Sequence, residues 1–124
     1  MDMDRFSDML NEIAGEMPKE FFEELNGGIV LKAERKLHPQ SRNEELCILG
    51  EYHRDKYLGR FITIYYGSFM QIYGYMTEEA LRRRVRKTVL HEFRHHLESL
   101  AGEKDLEIED AIQIARYKER GNGQ

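Results

Sequence analysis

Two histidines stand four residues apart with a glutamate after the first: His91-Glu92-Phe93-Arg94-His95. On a helix, residues four apart lie one turn above each other on the same face, so two imidazoles can converge on one ion. Zinc takes neutral imidazole nitrogens at about 2.0–2.1 Å. The carboxylate beside the pair is placed to work on a water and need not ligate the metal itself. This HExxH spacing therefore couples metal binding (His91, His95) to a general base (Glu92). Three of the chain's five histidines, His91, His95 and His96, fall within a turn and a half.

The spacing needs a helix, and the flanking residues supply one. Thr77 is a candidate N-cap, and Glu78 and Glu79 follow in the first turn, where the helix dipole favours acids. The helix is predicted to run to about Ala101, with Gly102 as its stop. Counting about 100° per residue from Leu81, Val85, Val89, Leu90, Phe93 and Leu97 spread over one half of the wheel. On the same count His95 falls about −40° and His91 about −80° from Leu81. The pair thus borders the apolar stripe, as a cleft over a buried helix requires. Glu92 lies beside His95, and His96 falls inside the apolar half, where packing is its expected role.

A catalytic zinc keeps three protein ligands and an open position. The acids that could complete the set are Glu98, Glu103, Asp105, Glu107 and Glu109. Glu98 shares a face with both histidines. Three side chains on one straight helix rarely reach one ion, however, and from His91 to Glu98 the helix rises about 10 Å. Asp105 comes just past the expected helix end, where the chain can turn back. It is the favoured third ligand, with Glu98 and Glu103 as alternatives.

Other elements must carry this helix. A helix is predicted over residues 4–16, with Phe6, Leu10, Ile13 and the adjoining Met17 as its apolar stripe. A short helix is expected from Pro18 to Leu25, ended by Asn26-Gly27-Gly28. Ile29-Val30-Leu31 opens a strand, and Lys36 to Glu45 reads as a loop. Leu46 to Tyr52 reads as a second strand, Lys56 to Gly59 as a turn, and Arg60 to Tyr66 as the strongest β-former run. Met70 to Tyr75 could be strand or helix. A last amphipathic helix fits Ile108 to Arg120, and residues 121–124 read as a frayed tail. Helix, then strands, then helix argues for an α+β domain with a short mixed sheet packed on the long helix.

The chain has 124 residues, which fits one domain over 1–124. Lys+Arg 19 against Asp+Glu 23 gives a net charge of −4, which argues against a general nucleic-acid binder. Arg82, Arg83, Arg84, Arg86 and Lys87 could still form a local basic patch, or a solvated face paired with Glu78 and Glu79. The single cysteine, Cys47, excludes an intramolecular disulfide and reads as a buried strand residue. Mean hydropathy is −0.70 and no apolar run approaches a membrane span. The acidic N-terminus has no signal-peptide core, so a cytoplasmic location is the expectation.

Arg84 to His96 resembles the motif helix of the minimal zincin-like metallopeptidases, small single-domain proteins of bacteria and archaea. Met17 to Phe21, Leu49 to Tyr52 and Arg60 to Tyr66 are also similar to that family's pattern. The resemblance implies a compact α+β domain, one zinc held by two histidines and an acid, and hydrolysis of a peptide or protein substrate with Glu92 as the base. It also implies an edge strand, here Arg60 to Tyr66, on which an extended peptide pairs. Tyr65 and Tyr66 read as strand packing, with an oxyanion donor as the lesser alternative. The family's usual motif is HExxHxxGxxD. This chain has Arg94 where a small residue is common, Glu98 in the Gly position and Ala101 in the Asp position. A Gly-x-x-Asp pair recurs one turn later as Gly102 and Asp105. The alternative expectation is a zinc-binding domain without catalysis, serving the fold or a partner surface.

Overall fold

The computed structural model describes residues 1–42, 46–102 and 112–119. In chain order the elements are α1 (Met3–Glu16), a 3₁₀ turn (Lys19–Phe22), β1 (Gly28–Lys32), β2 (Lys36–Leu37), β3 (Cys47–Ile48), β4 (Gly50–Asp55), β5 (Gly59–Tyr65), α2 (Tyr66–Tyr73) and α3 (Glu78–Ala101). Residues 112–119 form a further helical segment, α4. The architecture is α+β, a small sheet and helices around one core, as the element order implied.

Helix α3 starts where Thr77 caps it: the Thr77 hydroxyl accepts the Ala80 N–H at 3.2 Å. Loss of such a cap costs about 1 kcal/mol. Its stripe of Leu81, Val85, Val89, Leu90, Phe93, Leu97 and Leu100 is buried. It packs against Phe6, Met9, Leu10 and Ile13 of α1 and Ile62 and Ile64 of β5. Phe93 lies against Phe21 and Phe22, with ring centroids 5.5 and 5.0 Å away. Truncating such a buried ring to alanine costs about 3–5 kcal/mol. Ile112 and Ala115 of α4 join the same core, while Ile114 is exposed.

The three-stranded sheet has the order β1-β5-β4, with β1 parallel and β4 antiparallel to β5. β5, the richest β-former run, is therefore the central strand. The expectation that it is an edge for an extended peptide is corrected: both its sides are paired, and among the described residues β4 is the edge strand that packs beside α3. Leu46 to Tyr52, read as one strand, divides into β3 and β4, which belong to different sheets. β2, inside the segment read as a loop, pairs antiparallel with β3. The turn at 56–59 is held by Asp55, whose carboxylate accepts the backbone N–H groups of Tyr57 and Leu58 at 2.7 and 2.8 Å. Met70 to Tyr73 belongs to helix α2, and the short helix expected from Pro18 is a single 3₁₀ turn.

Gly50 explains how β4 reaches the motif helix. A Cβ at Gly50 would lie 3.0 Å from Thr88 Cγ2, 3.1 Å from Ile64 Cδ1 and 3.2 Å from the Thr63 carbonyl. Glycine lets the strand backbone come this close to α3, one turn before His91, without displacing a neighbour.

Candidate metal centre

The two motif histidines converge. Nε2 of His95 lies 3.1 Å from Nε2 of His91, and the rings meet edge to face with centroids 4.6 Å apart. Two nitrogens each about 2.0–2.1 Å from one tetrahedral ion stand about 3.3–3.4 Å apart. The spacing of the two lone-pair positions thus fits a shared zinc. The imidazoles are open to solvent on the helix border, His91 half-buried and His95 exposed.

Glu92 is buried at 6% exposure between them and the core. Burial pushes its carboxyl up to about 7, against the pull of the His91 charge, with Glu51 and Glu119 adding to the rise and Arg94 opposing it. A carboxyl held near neutrality is suited to accept and return a proton. Partial desolvation against the helix also holds His95 below the usual imidazole range, with the charges of His91 and Arg94 acting the same way. His95 thus favours the neutral ring that a metal needs.

Glu119, on α4, enters this centre from outside the motif helix. Its Oε1 lies 3.0 Å from Nδ1 of His91, and its Oε2 accepts from Arg94 Nη1 at 2.8 Å. A carboxylate on Nδ1 holds the ring proton there and leaves Nε2 as a lone pair. The Glu119 side chain is only 13% exposed. Arg94, the departure from the family pattern, is thereby neutralised beside the imidazoles. Sequence reading missed Glu119, because nothing local ties it to a histidine 28 positions away.

His96 is buried, as its wheel position implied. Its Nε2 lies 2.7 Å from the Glu23 carbonyl and its Nδ1 2.8 Å from the Tyr52 hydroxyl. Arg60 donates to the Tyr52 hydroxyl at 3.0 Å and to Ser99 at 2.6 Å, fastening β4 and β5 to the end of α3. The tyrosines named as oxyanion donors are committed elsewhere: Tyr65 donates to Glu51 Oε1 at 2.6 Å, and Tyr66 donates to the Met1 carbonyl.

Of the candidate third ligands, Asp105, Glu103, Glu107 and Glu109 lie outside the described residues. Glu98 is described, and its carboxylate is engaged by Arg116 at 3.0 Å and Arg94 at 3.6 Å. Among the described residues, no group of three or more His, Cys, Asp or Glu side chains is arranged to hold a metal. The last-helix expectation agrees with α4 over 112–119, and the remainder of it, with the tail 121–124, also lies outside the described residues.

Two clefts meet at this point. One, of about 350 Å³, runs up α3 past Thr88, Lys87 and Arg84, walled by Ile48, Leu49 and Tyr73. Cys47 lines it and is buried. The other, of about 740 Å³ and more open, runs down α3 past His95, Glu98 and Ser99 under Tyr52 and Arg54. Gly50, His91 and Glu92 line both.

A family model described as zincin-like metallopeptidase matches residues 32–113, and the chain belongs to that family. Among solved structures, a conserved hypothetical protein from Thermo thermophilus is similar to it at 33% identity and a TM-score of 0.70, covering 83% of this chain and 100% of that one. No curated protein matches the chain. Glu119 lies beyond the segment matched by the family model. Among the described residues, no helix is long and apolar enough to cross a membrane.

Proposed function

We propose that this protein is a zinc-dependent peptidase in which His91 and His95 hold the metal and Glu92 is the general base. The observation that carries the reading is the 3.1 Å separation of the two Nε2 atoms beside the buried Glu92 carboxyl. Asp105 remains the favoured third ligand. When bound, zinc would polarise the scissile carbonyl and lower the pKa of a water. Glu92 takes a proton from the attacking water and returns it to the leaving amine. β4 is an edge of the sheet beside Glu92, so an extended peptide can pair with that edge and extend into a cleft on each side.

The test is metal and turnover together. The purified chain should bind about one zinc, and His91→Ala or His95→Ala should abolish binding. Glu92→Gln should keep the metal and lose hydrolysis of a peptide library. Metal analysis showing no zinc after loading would end the reading.

One observation favours the alternative of a zinc domain without catalysis. The Arg94 guanidinium lies 3.3 Å from Nδ1 of His91, an unusual neighbour for a metal ligand. Equal, negligible hydrolysis by the wild type and Glu92→Gln, both with zinc bound, would select that alternative.

A further inference from the structure

The basic run on α3 is not a uniform solvated face. Arg82 pairs with Glu12 at 2.7 Å, Arg86 with Glu16 at 2.8 Å and Arg83 with Glu79 at 3.6 Å. The expected partner Glu78 is taken by Arg5 at 2.6 Å. Arg84 and Lys87 have no carboxylate partner among the described residues, and these two line the narrower cleft. Helical spacing explains the division. Arg84, Lys87, Thr88 and His91 stand at i, i+3, i+4 and i+7, one face running straight to the metal centre. The Arg84 guanidinium lies over the Tyr73 ring, 5.0 Å from its centroid, which holds the cation at the cleft wall.

We propose that this cleft is a subsite for a carboxylate of the bound peptide, recognised by Arg84 and Lys87. The inference rests on the peptide-hydrolysis reading above and names the substrate class: peptides with an acidic side chain, or a chain end, close to the scissile bond. Lys87 is four residues before His91, about 6 Å of helix rise, and Arg84 seven, about 10 Å. An extended peptide advances about 3.3–3.4 Å per residue. The carboxylate therefore belongs to a residue within about three positions of the bond cut. The apolar wall of Ile48, Leu49 and Tyr73 suits the methylenes of a glutamate, and the two cations suit its head. The other carboxylate side chains on this cleft do not cancel the cations. Glu119 is neutralised by Arg94, and Glu92 is buried at the far end. A nucleic-acid surface is disfavoured, since three of the five cations of the run are already paired.

The test is calorimetric titration of the full chain with N-acetylated, C-amidated alanine peptides carrying a central Glu or its Gln isostere. A Gln peptide with a free C-terminus is the third probe. The wild type should bind a carboxylate probe at least 10-fold more tightly than the amidated Gln peptide. A gain with central Glu assigns the subsite to side chains, and a gain with the free end assigns it to chain termini. The double variant R84Q/K87Q should lose the preference, while Arg83→Gln, outside the cleft, should keep it. The inference is overturned if no carboxylate is preferred, if the preference survives in R84Q/K87Q, or if a ten-residue oligothymidylate binds more tightly than the peptides. Hydrolysis by the zinc-loaded chain is scored separately. Turnover indifferent to Glu, with no binding preference, removes the subsite alone, whereas a Glu preference without turnover removes the peptidase reading alone.

Discussion

The Glu119 carboxylate meets Nδ1 of His91 at 3.0 Å while its other oxygen holds Arg94 at 2.8 Å. One acid thus orients a motif imidazole and neutralises the guanidinium next to it. Outer partners of this kind are worth about 10–100-fold in metal affinity. Glu119→Gln and Glu119→Ala should weaken zinc binding by that factor, measured by competition with a chromophoric chelator, with the circular dichroism spectrum unchanged. Wild-type affinity in both variants would remove Glu119 from the metal centre.

Glu92 is held against its ionisation. Its carboxyl is pushed up to about 7 by burial, so the folded state prefers the proton. Stability from that proton is present below the unfolded value of 4.5 and is lost as pH rises through about 7. Glu92→Gln removes the loss. In chelator-treated protein it should be more stable than wild type at pH 8, by on the order of 2–3 kcal/mol, and nearly equal at pH 4.5. Urea denaturation at the two pH values checks this, and a difference that does not grow with pH would contradict it.

Glu51 behaves in the opposite sense. Burial raises its carboxyl, but hydrogen bonds from Lys36 Nζ and the Tyr65 hydroxyl, both at 2.6 Å, outweigh burial and hold it below the usual range. Its stability is present above the unfolded value of 4.5 and lost as pH falls through the lowered folded value. With Lys36 40% exposed, the pair is screened and is worth about 1 kcal/mol. Glu51→Gln should cost about that at pH 7 and flatten the acid limb of a Tm-against-pH curve below pH 4.5.

Gly50 should accept a side chain only at a cost. Gly50→Ala places a methyl 3.0–3.2 Å from Thr88, Ile64 and the Thr63 carbonyl. A cost of about 1–3 kcal/mol is expected, seen as a fall in Tm of about 4 °C per kcal/mol. Because β4 must shift off α3, peptide binding should weaken beyond the loss of stability. An unchanged Tm would show that the strand does not need this approach.

Local periodicity made the motif helix legible. Thr77, the acids after it, the apolar stripe and Gly102 bound α3 within a residue of its observed ends, because cap and stripe depend on neighbours within a turn or two. The burial of His96 and the border position of the histidine pair followed from the same wheel. The strands were less legible. Leu46 to Tyr52 is uniformly strand-like, and its division into two sheets at Leu49 depends on which partners lie alongside, which composition does not encode. The central place of β5 was hidden for the same reason.

By itself, then, the sequence determined a helix that sets His91 and His95 one turn apart with Glu92 beside them, and an α+β frame to carry it. Tertiary structure alone decided that β4 is the edge above the site, that Arg84 and Lys87 face a cleft while their neighbours are paired, and that Glu119 reaches His91. Each of these joins residues far apart in the chain. Backbone geometry links residues three or four apart, but only packing brings distant ones together.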